Sequence, residues 1–147
     1  FFLAVDPSGC WIYLMKTKKV LPKTVSDSLL GKYAGISLES IDLNKSHLFY
    51  NALDFKITQG STDKSWISME DSGGTIISVM NCMSCPHQFA NPSITYFNGK
   101  SNLKIINTIK NFRIPIYEDI TVFNEDEIAD NIVLKDPGGL GIFVFSD

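Results

Sequence analysis

The order of apolar and polar positions divides most of the chain into two similar stretches. In each stretch, a short alternating strand precedes an amphipathic helix, and three further strands follow. The first stretch predicts strands at 34–40, 55–59, 65–69 and 75–80, with a helix at 43–53 after the N-cap residue Asp42. The second predicts strands at 93–97, 114–122, 131–136 and 141–145, with a helix at 101–112. Two β-α-β-β-β units, 34–80 and 93–146, are therefore expected in tandem.

A separate hairpin is predicted before these units. Residues 1–16 contain two strand-like runs on either side of the turn residues Asp6 to Gly9. The sequence DPSGCWIYLM, which begins at Asp6, returns as DPGGLGIFVF from Asp136, an offset of 130 positions that is close to one ordinary domain length. We interpret 1–16 as the closing hairpin of a preceding or partial domain, 17–33 as a linker and 34–147 as a domain.

The helices predict which strand faces are buried. Each helix covers one face of its small sheet, so the opposite faces can curl toward each other around a concave groove. The helix-facing side of the first strand carries Ile36 and Leu38. The groove side carries Gly35 and the predicted ligand-binding residues Ser37, Glu39, Ser93, Thr95, Phe97, Phe143 and Phe145. Aromatic rings with a few polar groups are usual in small-molecule pockets.

Composition narrows the class of partner. Hydrophobic residues make up 44% and charged residues 20% of the chain, as in a globular protein. The net charge of −3 argues against a nucleic-acid partner. No apolar run approaches the roughly 20 residues of a membrane span, which argues against a membrane partner. An odd count of three cysteines argues against a disulfide scaffold and favours a reducing, cytoplasmic compartment.

The layout and three phrases resemble the vicinal oxygen chelate superfamily, which includes the glyoxalase, bleomycin-resistance and extradiol-dioxygenase families. The phrases are GISLESIDLNKSHLFYNALDFKI at 35–57, the strand and helix at 93–112, and the closing DPGGLGIFVF. The resemblance implies an α+β fold in which paired βαβββ modules form a curled mixed sheet around a groove. It also implies that 1–16 closes a preceding repeat, and that modules pair within a tandem chain or a homodimer.

The resemblance further implies a divalent metal at the mouth of the groove, held by His or Glu side chains on four strands. By position, those ligands fall on Gly35, Ser78, Ser93 and Phe143, and none of these residues supplies the imidazole or carboxylate that such a site uses. The equivalent of Phe143 in the first hairpin is Tyr13. We therefore expect no metal and no cofactor, and a domain that binds a small apolar or aromatic molecule without metal chemistry.

Two other functions remain open at this point, and with them the question of whether the protein is an enzyme. One is a metal-dependent lyase, epimerase or dioxygenase of the same superfamily that uses displaced ligands such as Glu39 or His87, with Glu39 as a weak candidate for a general base. The other is a structural or assembly module, in which Phe97, Phe143 and Phe145 fill the groove.

The segment at Cys82, Cys85 and His87 has CxxC spacing with a nearby histidine. Such spacing is half of a structural zinc site or a redox pair. The sequence contains no second Cys/His pair to complete four zinc ligands. We interpret these residues as part of the loop between the two units.

Overall fold

The computed structural model describes residues 1–16, 28–85, 91–121 and 129–146. Its strands are β1 (Phe2–Val5), β2 (Trp11–Leu14), β3 (Lys32–Ser40), β4 (Lys56–Ser61), β5 (Trp66–Glu70), β6 (Ile76–Asn81), β7 (Ser93–Phe97), β8 (Glu118–Ile120), β9 (Asn131–Lys135) and β10 (Gly141–Phe145). Its helices are α1 (Leu43–Ala52) and α2 (Asn102–Asn111), the second preceded by a 3-10 turn at Gly99–Ser101. The strand predicted at 114–122 is shorter, spanning Glu118–Ile120, and the part before it contains Pro115, which has no N–H to donate to a sheet.

Eight strands form one mixed sheet in the order β4-β5-β6-β3-β7-β10-β9-β8. The first strand of each half pairs in parallel with the last strand of that half, β3 with β6 and β7 with β10. The antiparallel pair of β3 and β7 joins the two halves. The predicted α+β class and curled mixed sheet are confirmed. Within the described part of the chain, neither ten-residue helix is long and apolar enough to cross a bilayer.

Each helix covers one half of the sheet. The side chain of Asp42 caps α1 by accepting the N–H of Lys45 at 3.0 Å, and this backbone hydrogen bond is the main cause that lowers the pKa of Asp42. The first core joins side chains of α1 to the sheet; its buried members are Leu38, Leu43, Tyr50, Phe55, Ile67, Met69, Ile77 and Val79. The second joins α2 to the sheet through Ile106, Ile109, Ile132, Leu134 and Val144.

Three hairpins of the described chain contain the same turn. The aspartates Asp6, Asp71 and Asp136 begin these turns and are spaced 65 positions apart. Each accepts, at its Oδ1 atom, the N–H of the residue four positions later, at 2.8, 2.8 and 2.7 Å. The repeat seen in the sequence at 6–15 and 136–145 therefore has a middle copy, DSGGTIISVM at 71–80, whose turn lacks the proline of the other two.

The first hairpin packs beside α1 and forms its own two-stranded sheet. The buried side chain of Asp6 accepts a hydrogen bond from the Tyr50 hydroxyl at 2.8 Å. Cys10 and Ile12 pack against the first core. Burial, and secondarily the contact with Asp6, raises the pKa of Tyr50 above its ordinary value, so the hydroxyl keeps its proton and donates at neutral pH.

Replacing Tyr50 with phenylalanine is expected to lower the free energy of unfolding by about 1–3 kcal/mol. The variant keeps the ring but removes the hydroxyl that donates to the buried Asp6 carboxylate. The carboxylate then lacks this hydrogen bond, and an unsatisfied buried acceptor costs more free energy than the loss of both partners. Urea denaturation measures the change. The matched control Tyr33→Phe removes a hydroxyl from a half-exposed tyrosine and is expected to cost about 0.5 kcal/mol or less. Equal effects of the two variants would contradict a role of the Asp6 contact in holding the hairpin.

Candidate functional site

The concave side of the sheet contains a cleft with a volume of about 930 Å³. This lies within the range of roughly 300–1,000 Å³ typical of small-molecule sites. Six strands of both halves and the turn after β7 supply its walls: Gly31, Lys32, Tyr33, Ala34, Ser37, Thr58, Gln59, Trp66, Ser68, Glu70, Ile76, Ser78, Thr95, Phe97, Asn98, Gly99 and Phe145.

Small hydroxyl side chains form the floor of the cleft. Ser68, Ser78 and Ser37 lie side by side on β5, β6 and β3. The Ser78 hydroxyl donates to the Ser68 hydroxyl at 3.2 Å, and the hydroxyls of Ser37 and Thr95 are 2.9 Å apart across the joint between the halves. Short side chains leave room above the sheet, and their mutual hydrogen bonds satisfy them when no ligand is bound.

Aromatic rings stand around this floor. Tyr33, Trp66 and Phe97 are between 38 and 48% exposed, which leaves ring faces open to a ligand. Phe145 lies behind Phe97, with 6.2 Å between ring centroids. Burial, followed by the neighbouring Tyr96, raises the pKa of Tyr33, which stays neutral at physiological pH.

Four of the seven predicted ligand-binding residues line the cleft: Ser37, Thr95, Phe97 and Phe145. The structure places Ser93 and Phe143 elsewhere. Ser93 is fully buried, and Phe143 belongs to a compact cluster with Ile120 and Val133. Phe143 lies on the same face of its strand as Phe145, but Ile120, Val133 and the stacked ring of Phe145, 5.4 Å away, pack around it.

The seventh residue, Glu39, lies at the far end of β3, outside the cleft lining. Its backbone is held by Asn91, whose side-chain oxygen accepts the Glu39 N–H at 3.3 Å and whose amide donates to the Glu39 carbonyl at 3.2 Å. Glu39 is therefore held outside the cleft lining, which weakens it as a candidate general base for a ligand in the cleft. The other displaced candidate, His87, lies outside the described residues.

Sequence reasoning missed Trp66, Ser68 and Glu70 as cleft residues. All three alternate with the core residues Ile67 and Met69 along β5, so the period-two pattern contained the signal.

The positions implied as metal ligands do not fit a metal. Gly35 has φ +130°, and a Cβ at this position would lie 2.6 Å from the Ile76 carbonyl oxygen, so the backbone admits no donor side chain without shifting. The Ser78 hydroxyl is hydrogen-bonded to the Ser68 hydroxyl, and the side chains of Ser93 and Phe143 are buried. The described ranges contain no group of three or more His, Cys, Asp or Glu side chains placed to hold a metal. Cys82 is exposed and Cys85 half-buried after β6.

No family model matches the sequence, and no curated protein matches it. Solved structures do. One is a glyoxalase/bleomycin resistance protein/dioxygenase superfamily member from Vibrio splendidus 12B01, 13% identical, with a TM-score of 0.53 over 79% of this chain and 100% of the other. Another is described as NAD-dependent benzaldehyde dehydrogenase from Legionella pneumophila, 16% identical, with a TM-score of 0.58 over 74% and 95%. At these identities the likeness concerns the fold alone. The chain has the fold of the glyoxalase/bleomycin resistance protein/dioxygenase superfamily, as the resemblance implied.

Proposed function

We propose that the protein binds a small apolar or aromatic molecule in the cleft without metal chemistry. One observation carries this proposal: a cleft of about 930 Å³ combines a hydroxyl floor with exposed aromatic rings. Aromatic rings can stack on a planar apolar ligand, and the hydroxyls can exchange their mutual hydrogen bonds for bonds to a polar group of the ligand. Lys32 and Glu70 at the rim add one charge of each sign.

The chemistry of the four implied ligand positions supports binding rather than metal catalysis. A glycine, two serines and a buried phenylalanine cannot replace a set of imidazole and carboxylate donors. Among the described residues, Glu70 is the one acid of the cleft lining, and no histidine lies beside it there. The described cleft residues therefore offer Glu70 as a single candidate for proton transfer and no set of donor side chains for a metal.

The alternative of a self-filled groove has less support than binding. In that hypothesis, Phe97, Phe143 and Phe145 would meet and close the groove. Phe143 and Phe145 do stack in a cluster with Ile120 and Val133, but Phe143 is not part of the cleft lining, and a volume of about 930 Å³ remains over the hydroxyl floor. The polar floor favours contact with solvent or a ligand, because phenylalanine rings packed over it could not meet the hydrogen-bonding capacity that its hydroxyls keep beyond their mutual bonds.

The fluorescent probe 1-anilinonaphthalene-8-sulfonate tests the proposal, because Trp66 lines the cleft and Trp11, on β2, does not. In a Trp11→Phe protein, we expect saturable quenching of Trp66 as the probe binds. Ser78→Phe in that background places a ring on the floor and is expected to weaken binding about 10-fold or more by exclusion. In the matched control protein Trp66→Phe, the measured fluorescence comes from Trp11 alone. Quenching of Trp66 that never saturates, or that Ser78→Phe leaves unchanged, would overturn binding in the cleft.

Elemental analysis of the purified protein separates binding from the alternative of a metal-dependent lyase, epimerase or dioxygenase. Binding without metal chemistry predicts less than stoichiometric metal and unchanged probe affinity after chelation. One tightly held divalent metal per chain, with probe binding lost on chelation, would favour the enzyme and refute the proposal.

A further inference from the structure

Two charged side chains of the cleft lie at the same end of the sheet. Glu70 is the last residue of β5 and Lys32 is the first residue of β3. Because β5 runs antiparallel to β6 and β6 runs parallel to β3, the end of β5 and the start of β3 lie together. Only β6 separates the two strands, which are therefore on the order of 10 Å apart. The cleft thus carries one negative and one positive group at about this spacing.

Neither charge is neutralised by the protein. Within the described ranges, neither Lys32 nor Glu70 takes part in an ion pair. Lys32 is exposed and Glu70 half-buried, so both remain open to solvent. A purely apolar ligand over the cleft would remove part of the solvation of Glu70 and supply no compensating group, which costs free energy. A cationic nitrogen on the ligand would compensate for that loss through a charge-assisted hydrogen bond.

The surface between the two charges is apolar. Ile76 pairs with Glu70 in the ladder of β5 and β6. Gly35 lies beside Ile76, since a Cβ at Gly35 would be 2.9 Å from the Ile76 Cβ, and it adds no side chain to this surface. Tyr33 and Phe97 line the same cleft with partly exposed rings. A planar aromatic body therefore fits between the charges, with rings available for stacking.

We propose that the ligand of the cleft is an aromatic zwitterion. Its ring system lies over Gly35 and Ile76, its cationic nitrogen faces the Glu70 carboxylate, and its anionic group faces the Lys32 ammonium. This inference rests on the proposed function and adds the class of ligand. Opposite charges at the two ends also fix the orientation of the ligand, since the reversed orientation would bring like charges together.

Isothermal titration calorimetry of the unmodified protein with two matched ligands tests the proposal. The zwitterion 6-(aminomethyl)naphthalene-2-carboxylate carries its charges at opposite ends of the ring system, a spacing similar to that of the two strands. The isostere 6-(hydroxymethyl)naphthalene-2-carboxamide has nearly the same shape and no charge. We expect the zwitterion to bind at least about 10-fold more tightly, from a charge-assisted hydrogen bond at Glu70 and a weaker exposed pair at Lys32.

Two variants that each remove one charge assign the contacts. Glu70→Gln is expected to weaken binding of the zwitterion about 10-fold and to change binding of the isostere less than about 2-fold. Lys32→Gln is expected to weaken binding of the zwitterion about 3-fold, because solvent screens the exposed Lys32. The matched controls Glu39→Gln and Lys104→Gln remove the same charges outside the cleft lining and are expected to change neither affinity.

The possible results distinguish the zwitterion from the proposed function itself. Equal affinities of the zwitterion and the isostere would overturn the zwitterion and leave binding of an aromatic molecule in place. So would a loss with Glu39→Gln as large as the loss with Glu70→Gln, because the effect would then come from net charge. Binding of 1-anilinonaphthalene-8-sulfonate without binding of either naphthalene ligand would also overturn the zwitterion alone. Absence of binding by all three ligands would overturn both.

Discussion

Replacing Phe143 with glutamate is expected to lower the free energy of unfolding by about 3–5 kcal/mol at pH 7. The substitution supplies the carboxylate that the superfamily resemblance implies at this strand position. Phe143 is 2% exposed and contacts Ile120, Val133 and Phe145, so the new charge would be buried against apolar side chains. An uncompensated buried charge costs about this much. Urea denaturation measures the loss.

The effect of Phe143→Glu should depend on pH in a defined direction. Burial raises the pKa of a carboxyl group, so the folded variant would hold its proton at a pH where the unfolded chain has released it. Its stability therefore falls as pH rises above the unfolded value of about 4.3, and the loss is smaller at pH 4 than at pH 7. The control Phe143→Leu, without a charge, is expected to cost about 1.5 kcal/mol or less at both pH values.

Addition of a divalent metal is not expected to restore the free energy of unfolding of Phe143→Glu. The other implied positions, Gly35, Ser78 and Ser93, provide no imidazole or carboxylate donor. A variant that gains stability with one equivalent of metal would show that a usable site still surrounds this position. That result would contradict the interpretation of the cleft as unsuited to a metal.

Replacing Gly35 with alanine is expected to cost about 2–6 kcal/mol. Two effects add at this position: a φ of +130° that side chains rarely adopt, and a Cβ that would lie 2.6 Å from the Ile76 carbonyl oxygen and 2.9 Å from the Ile76 Cβ. Strain of the first kind costs about 1–3 kcal/mol, and forced displacement of packed neighbours about 1–3 kcal/mol more.

Gly9→Ala is the matched control for Gly35→Ala. Gly9 also has a positive φ, of +88°, but nothing lies within 4 Å of the added Cβ. It therefore measures backbone strain alone, with an expected loss of about 1–2 kcal/mol. Chemical denaturation of both variants gives the steric part as the difference. Equal losses would contradict the close approach of β3 to β6 at this point of the cleft.

Local patterns predicted most of the fold. The strands at 93–97 and 141–145 have the predicted bounds. The bounds of the two helices differ from the prediction by no more than one residue at either end. These elements have a strong period and clear end signals, such as the Asp42 cap. The strand predicted at 114–122 differs most from the structure, because its apolar pattern includes Pro115, which cannot donate to a sheet, and the strand begins only at Glu118.

The candidate site was predicted less completely than the fold. Alternation assigns a side chain to a face, and it did so for Ser37, Thr95, Phe97 and Phe145, all of which line the cleft. It does not tell whether another element covers that face. Phe143 and Phe97 both lie on the groove face, but the first is buried within an apolar cluster and the second is 38% exposed.

By itself, the sequence determined the elements, the helix-facing sides of the strands and the absence of donor side chains at the implied metal positions. These follow from local periodicity and from residue identity. Only the tertiary structure decided that serines of β5 and β6 border the cleft, that Phe143 is core, and that the hairpin is held through Asp6 and Tyr50. The physical reason is that burial depends on which distant segments of the chain pack across a face, and neither the period nor the identity of nearby residues contains that information.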